Sequence, residues 1–172
     1  MTLGLVILRL VMGLTLAAHG AQKLFGWFGG PGPAGTNALF AKLGFRWPMA
    51  MAVMAGLSEF VGGLLFAVGL LTPFAALAIT VVMLNAFATV HRPNGFFVTA
   101  GGYEYNLTVG AIAVAVAAIG PGRASLDHAL GIAGSISGFW WGPIVLAVAV
   151  VIAFATTTFG REHAGMPGHP AA

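Results

Sequence analysis

The chain has 172 residues, of which 59% are hydrophobic and only 6% are charged. Soluble domains carry about 25% charged residues, so this composition excludes a water-facing globular surface and indicates an integral membrane protein. The formal net charge of +3 comes from scattered basic residues, which excludes a nucleic-acid partner, and the lack of cysteine excludes disulfides, thiolate metal sites and iron–sulfur clusters.

The first apolar stretch, residues 3–24, is predicted to be a membrane span that is retained rather than a cleaved signal peptide. A helix that crosses the hydrocarbon needs about 20 largely apolar residues. A signal peptide carries basic residues ahead of its apolar run, whereas here Arg9 lies inside the run.

Four more apolar stretches predict four further spans, at about residues 49–71, 72–90, 103–120 and 140–159. Thr72-Pro73 is a helix start signal that directly follows the second span, so spans two and three should form a tight antiparallel hairpin. Because the bilayer offers the backbone no hydrogen-bond partners, all five spans should be helices.

The predicted fold is therefore an all-α polytopic membrane helical bundle. Residues 1–128 form a four-helix membrane domain, residues 129–160 hold an additional C-terminal transmembrane helix, and residues 161–172 form a disordered tail rich in Gly, Pro and His. Small residues four apart predict close packing between helices; the pairs are Gly13/Ala17, Ala52/Gly56, Ser58/Gly62, Gly63/Ala67, Ala113/Ala117 and Ala149/Ala153.

The loop between the first two spans is the longest, and it contains a predicted short helix over residues 38–45. Leu39, Phe40 and Leu43 fall on one face of this helix. A short helix with one apolar face is typical of a segment that lies on the membrane surface.

Basic residues outside the hydrocarbon predict the orientation. Face A is the membrane side on which the first span begins, and face B is the opposite side. Cytoplasmic loops carry the excess of Lys and Arg, so the positive-inside rule predicts that face B is cytoplasmic: face A carries Arg123, whereas face B carries Lys23, Lys42, Arg46, Arg92 and Arg161.

Polar and ionisable residues of four spans are predicted to meet in a ligand-binding pocket near face B. An ionisable residue inside a membrane helix is costly and is by default a functional candidate. Antiparallel threading brings the following residues towards the same end of the bundle: His19, Gln22, Lys23, Glu59, His91, Arg92, Glu104 and Tyr105.

Each of these residues also has a purely structural interpretation. Glu59 and Lys23 would then be an ion pair that joins two helices, His19 a helix-packing residue, and His91 a residue that marks the membrane interface. No recognisable metal-ligand spacing or matched haem-ligand pair is present, so we predict no metal site.

At the opposite end, near face A, we predict a structural ion pair between Arg9 and Asp127. Arg9 lies within the first span, where an unpaired guanidinium would be unfavourable. Asp127 follows the fourth span on the same side of the membrane, so its carboxylate is a suitable partner.

Across roughly residues 4–127, the order and spacing of short motifs resemble the DoxX family of small bacterial and archaeal membrane proteins. The motifs are Leu8-Arg9, His19-Gly20, Gln22-Lys23, Glu59, Gly62-Gly63, Gly69-Leu70 before Thr72, Gly101-Gly102 with Glu104-Tyr105, and Gly120-Pro121-Gly122-Arg123 with Ser125 and Asp127.

The resemblance implies a four-helix DoxX-like core in the bacterial or archaeal cell (inner) membrane, and the fifth span exceeds that core. It also implies an association with membrane redox chemistry. Some relatives in the wider DoxX/DoxD group are similar to subunits of thiosulfate:quinone oxidoreductases, and others are linked to oxidative-stress assemblies. The resemblance does not assign catalytic residues or decide whether the protein is an enzyme.

Three functions remain open from the sequence. In the first, the bundle binds a quinone that His19 or His91 would hydrogen-bond. Glu59 or Glu104 would relay protons, and another membrane redox subunit or a soluble substrate would supply the electrons. In the second, the protein is a non-catalytic accessory subunit of a larger membrane complex. In the third, it is a small-solute or proton-coupled carrier, although it lacks evident inverted repeats.

Overall fold

The computed structural model describes residues 2–161, and the regular structure in that range is helical. The predicted disordered tail lies outside the described residues, apart from Arg161. Seven α-helices follow in chain order: α1 (Thr2–Phe25), α2 (Gly32–Lys42), α3 (Pro48–Val68), α4 (Thr72–Ala86), α5 (Glu104–Ile119), α6 (Leu126–Ala129) and α7 (Trp141–Phe159). The predicted all-α membrane bundle is confirmed.

Four helical segments are long and apolar enough to cross a bilayer: Leu3–Phe25, Pro48–Val68, Thr72–Asn94 and Trp141–Phe159. Helix α5 is apolar but shorter, with 16 residues, which corresponds to about 24 Å of rise. It still runs the length of the bundle. Tyr103, just before α5, packs against Phe87 at the end of α4, whereas the chain after α5 returns to the α3–α4 turn, where the Asp127 amide donates to Gly69.

Helices α3 and α4 form the expected tight hairpin. Gly69 ends α3 in the left-handed conformation, with φ of +66°, and Thr72-Pro73 begins α4. Glycine suits this position because it adopts positive φ without a Cβ penalty. The short turn fixes α4 antiparallel to α3, so residues at equal distances from the turn lie at similar depths in the membrane.

Helices α1 and α3 pack almost backbone to backbone through the predicted small residues. A Cβ added to Gly13 would lie 2.5 Å from the Gly63 carbonyl oxygen and 2.7 Å from the Ala67 amide nitrogen. A Cβ added to Gly20 would collide with the backbone of Phe60. Membrane helices gain little from hydrophobic burial against each other, so close van der Waals contact of this kind is a main source of their association.

Helix α4 occupies the centre of the bundle, where it packs against α3, α5 and α7. The core that α1, α3, α4 and α5 form together contains four fully buried residues, Leu16, Phe66, Ile79 and Val116. Helices α3 and α7 both pack on α4 but have little contact with each other. The predicted fifth span therefore extends the bundle on the far side of α4 and leaves a cleft between itself and α3.

Candidate functional site

The candidate site is the cleft between α3 and α7 over the surface of α4, which we call the α3–α7 cleft. Its volume is about 230 Å³. Met54 on α3 is 57% exposed and Ile152 on α7 is 36% exposed, and both line the cleft. The cleft therefore opens sideways towards the lipid. Its polar lining comes from Lys23, Ser58, Glu59, Asn85, Thr89, His91 and Thr156.

Helix α2 packs against α1 and α3 and covers the face B end of the cleft. The helix begins at Gly32, six residues before the predicted start at residue 38, and its apolar residues Leu39, Phe40 and Leu43 line the cleft. The buried Thr36 hydroxyl donates to the Gly32 carbonyl at 2.7 Å within the helix. The apolar face of α2 therefore packs against the bundle, and the position of this helix at the membrane surface stays a prediction.

The chain after α7 is tied to the loop that follows α2. The Arg46 amide donates to the Gly160 carbonyl at 2.9 Å, and Arg161 Nε donates to the Leu43 carbonyl at 2.8 Å. The Arg161 guanidinium also lies 6.0 Å from the centre of the Phe45 ring, within the range of a cation–π contact. These contacts close the face B end of the cleft, so the opening to lipid lies along its side.

A buried ion pair forms the inner end of the cleft. Lys23 Nζ of α1 donates to Glu59 Oε2 of α3. Glu59 is 4% exposed, whereas the Lys23 side chain is 27% exposed. Lys23 lies in the last turn of α1 at face B, and its long side chain reaches towards the middle of the membrane. The pair therefore presents charge at a depth where charge is costly unless it is paired.

His91 lies at the outer end of the cleft, in a single π-helical turn, Phe87–His91, that follows α4. Its Nδ1 lies 2.7 Å from the Gly101 carbonyl oxygen. A carbonyl only accepts, so Nδ1 carries the proton and Nε2 of the neutral ring remains an acceptor. Turns of π-helix are rare and frequently occur at functional sites.

Polar groups of α4 and α7 connect across the middle of the cleft. The Thr156 hydroxyl of α7 donates to Asn85 Oδ1 of α4 at 2.7 Å, and Asn85 Nδ2 donates to the Val81 carbonyl at 2.9 Å. The Thr89 hydroxyl donates to the Asn85 carbonyl. The sequence prediction missed these three residues, although an asparagine and threonines inside apolar spans are a signal that could have found them.

His19, Gln22 and Tyr105 form a separate group outside the cleft. His19 Nδ1 lies 3.3 Å from Gln22 Oε1, and the His19 and Tyr105 rings meet edge to face with centroids 5.8 Å apart. His19 is exposed, whereas the Tyr105 hydroxyl is buried with no hydrogen-bond partner among residues 2–161. This group lies on the α1 and α5 side of the bundle.

Glu104 and Arg92 also lie outside the cleft. Glu104 Oε2 accepts the Val98 amide at 3.0 Å, so its carboxylate orders the loop before α5, and Arg92 is exposed after the π-helical turn. The predicted single chamber is therefore divided. Of the eight predicted pocket residues, only Lys23, Glu59 and His91 line the cleft.

The predicted direct ion pair between Arg9 and Asp127 is not formed. Both side chains are fully buried near the α3–α4 turn, but Arg9 Nη2 donates to the Ala124 carbonyl. Asp127 instead accepts the amides of Leu71 and Thr72 at 2.7 and 3.0 Å, and the Thr72 hydroxyl at 2.6 Å. The free amides at the start of α4 compete successfully for the carboxylate because a helix N-terminus favours negative charge.

Replacing Asp127 with alanine should destabilise the bundle by about 2 kcal/mol, at the upper end of the range for a lost helix cap. The change leaves the buried N-terminus of α4 without an acceptor. Asp127→Asn should cost less because its side-chain oxygen can still accept an amide. Thermal unfolding in detergent measures the difference, and equal melting temperatures for the two variants would contradict the capping role.

Among residues 2–161, no three His, Asp or Glu side chains are gathered in a way that could hold a metal ion. The Lys23–Glu59 pair is the one salt bridge in this part of the chain. The cleft presents an ammonium, a carboxylate and an imidazole, which can form hydrogen bonds and exchange protons.

Comparison with known proteins identifies the family. The DoxX family model matches residues 4–92, which include α1 to α4 and the π-helical turn. No curated protein and no solved structure matches the chain significantly. The match contains Lys23, Glu59 and His91 but ends before α7, which supplies one wall of the cleft. This multi-pass membrane protein, whose apolar helices are embedded in the lipid bilayer, belongs to the DoxX family.

Proposed function

We propose that this protein is a quinone-binding subunit of a membrane redox assembly and that the quinone headgroup binds in the α3–α7 cleft. The observation that carries the proposal is that a buried ion pair, Lys23–Glu59, and His91 line one cleft that opens towards lipid. The resemblance to DoxX-family proteins, which implies membrane redox chemistry, supports the same class of ligand.

The size and shape of the cleft suit a ring with an apolar tail. Sites for drug-sized ligands occupy about 300–1,000 Å³, so about 230 Å³ accommodates a single ring headgroup and little more. The tail would leave between Met54 and Ile152, which flank the opening. A lipid-soluble molecule could then bind without first passing through water.

The polar groups are complementary to both redox forms of a quinone. A quinone carbonyl accepts hydrogen bonds, and the Lys23 ammonium has three N–H donors, of which Glu59 uses one. A quinol hydroxyl donates, and the Glu59 carboxylate beside Lys23 can accept. Oxidation of a quinol releases two electrons and two protons. Glu59 accepts the protons from the headgroup, His91 exchanges protons with face B, and a partner subunit with its own electron carrier takes the electrons.

The different depths of Glu59 and His91 in the membrane suggest separate roles in headgroup binding and proton exchange. Counted from the α3–α4 turn, Glu59 is level with Val81 and Val82, so roughly 15 Å of helix rise separates it from His91. One headgroup cannot touch both ends. The Asn85–Thr156 pair and Thr89 lie between them, so the headgroup binds at the Lys23 end and His91 exchanges protons with face B.

A non-catalytic accessory role is the second candidate. It is favoured by α7, a helix outside the family match that leaves Val151 67% exposed and Phe154 64% exposed. Such a face would suit packing against a larger membrane subunit as well as against lipid. In this case the α3–α7 cleft binds no quinone, and the protein co-purifies with its complex in mild detergent.

Blocking the mouth of the cleft tests the proposal. The purified protein is offered a tritiated decyl-benzoquinone, and binding is measured by scintillation proximity. Met54→Trp fills the opening and should weaken binding by about tenfold or more. Leu57→Trp is the matched control, since Leu57 is 46% exposed on the same helix but does not line the cleft. Its affinity should equal that of the wild type.

The quinone proposal fails if the wild-type protein does not bind the probe, or if Met54→Trp and Leu57→Trp bind it equally. Both substitutions are on lipid-facing positions, so neither should alter the unfolding temperature. Size-exclusion chromatography of both variants checks that the bundle is intact.

A further inference from the structure

A second cavity lies on the opposite side of α4, between α4, α5 and α7, and we call it the α4–α5 groove. Its volume is about 600 Å³, and it shares no lining residue with the α3–α7 cleft. The space exists on the α5 side because the residues there are small: Gly110, Ala111 and Ala115. It is bordered by two exposed leucines, Leu107 and Leu146. The groove is therefore open to the lipid and is within the size range of small-molecule sites.

Asn106 is the unusual residue of this groove. It is only 5% exposed, and its Oδ1 has no hydrogen-bond partner among residues 2–161. Its Nδ2 makes only a 3.7 Å contact with the sulfur of Met83, a weak acceptor. The buried Thr80 hydroxyl, by contrast, is satisfied by the Ala76 carbonyl at 2.7 Å. An unpaired buried amide is costly, so a ligand that donates a hydrogen bond to Asn106 would be stabilised at this position.

The position of Asn106 defines the geometry of that partner. Asn106 is the third residue of α5, within the first turn at face B, and the groove continues along α5 to Val114 and Ala115. This distance corresponds to roughly 12 Å of helix rise. A complementary molecule has a hydrogen-bond donor at its interfacial end and an apolar chain that extends towards the middle of the membrane.

The charge of the groove lining indicates which class of membrane lipid it can bind. No residue that lines the groove is charged, so the groove offers nothing to neutralise a phosphate or carboxylate. We infer that the α4–α5 groove binds a neutral lipid that carries a free hydroxyl next to its acyl chain, such as a monoacylglycerol. The hydroxyl donates to Asn106 Oδ1, and the chain lies over Gly110 and Ala111. This site is independent of quinone binding in the α3–α7 cleft.

Native mass spectrometry of the delipidated protein tests the inference with two probes. Monooleoylglycerol carries the hydroxyl donors, and methyl oleate has the same chain without a donor. The wild-type protein should bind monooleoylglycerol about tenfold more tightly than methyl oleate. Asn106→Leu should abolish this preference. Gly110→Leu should weaken binding of both lipids, because the nearest atom to an added Cβ is 4.0 Å away and the new side chain fills the groove.

The unfolding temperature of the lipid-free variants separates ligand binding from a structural role of Asn106. Because its amide is unpaired, Asn106→Leu should leave the melting temperature unchanged or raise it. Equal binding of the two lipids by the wild type, as expected for annular lipid only, would overturn the inference. So would a preference that persists in Asn106→Leu, or a lower melting temperature of that variant without lipid.

Discussion

Replacing Gly13 with alanine is expected to weaken the contact between α1 and α3 and to destabilise the bundle by about 3 kcal/mol, the upper end of the usual cost of overpacking. The reason is geometric. The added methyl group would lie 2.5 Å from the Gly63 carbonyl oxygen and 2.7 Å from the Ala67 amide nitrogen. These are backbone atoms, which cannot move aside as the end of a side chain can.

Gly4→Ala is the matched control for this prediction. Gly4 lies on the same helix, but a Cβ at this position would have no heavy atom within 4 Å. Alanine has a higher helix propensity than glycine by about 1 kcal/mol, so Gly4→Ala should be neutral or stabilising. Unfolding in mixed detergent and sodium dodecyl sulfate measures both variants. A Gly13→Ala protein as stable as Gly4→Ala would show that the helices are farther apart than described.

The sequence was sufficient to predict the spans and the hairpin because the underlying signals are local. Thr72-Pro73 and Gly69 mark helix ends through their own backbone preferences. The pairs of small residues on α1 and α3 predict close packing, although in a chain so rich in small residues they do not identify which helices meet. That choice depends on long-range contacts that no local pattern contains.

The candidate site was predicted only in part, for reasons that particular residues illustrate. Lys23 and Glu59 face each other because α1 and α3 approach closely, as the small residues suggested. His91 is the last residue of a π-helical turn, which rotates this end of the helix by roughly 100° relative to α-helical spacing. Helical periodicity from the sequence cannot anticipate that shift. His19 points away from the cleft, towards Tyr105.

The buried polar contacts were the least predictable feature. Opposite charges at the same end of the bundle suggested that Arg9 would pair with Asp127. The backbone amides at the start of α4 take the Asp127 carboxylate instead. Sequence patterns show charged side chains, but they do not show which backbone groups remain unpaired after folding, and these compete equally for a buried carboxylate.

Replacing Lys23 with methionine should cost about 3 kcal/mol of stability, because it leaves the Glu59 carboxylate buried without its partner. The value is at the lower end of the range for buried pairs, since the Lys23 side chain is 27% exposed. Lys42→Met is the control. Lys42 is an exposed lysine on α2 with no salt bridge to any residue within 2–161, so its replacement should change the stability little.

The double variant Lys23→Met/Glu59→Gln separates the structural role of the pair from its proposed role in ligand binding. With both charges removed, no unpaired charge is buried, so most of the stability should return. If the pair only joins α1 to α3, the double variant should bind decyl-benzoquinone as the wild type does. If the pair holds the headgroup, the double variant should fold normally and still lose binding by about tenfold or more. The single variant Glu59→Gln completes the comparison. If the double variant loses as much stability as the two single variants added together, Lys23 and Glu59 do not interact.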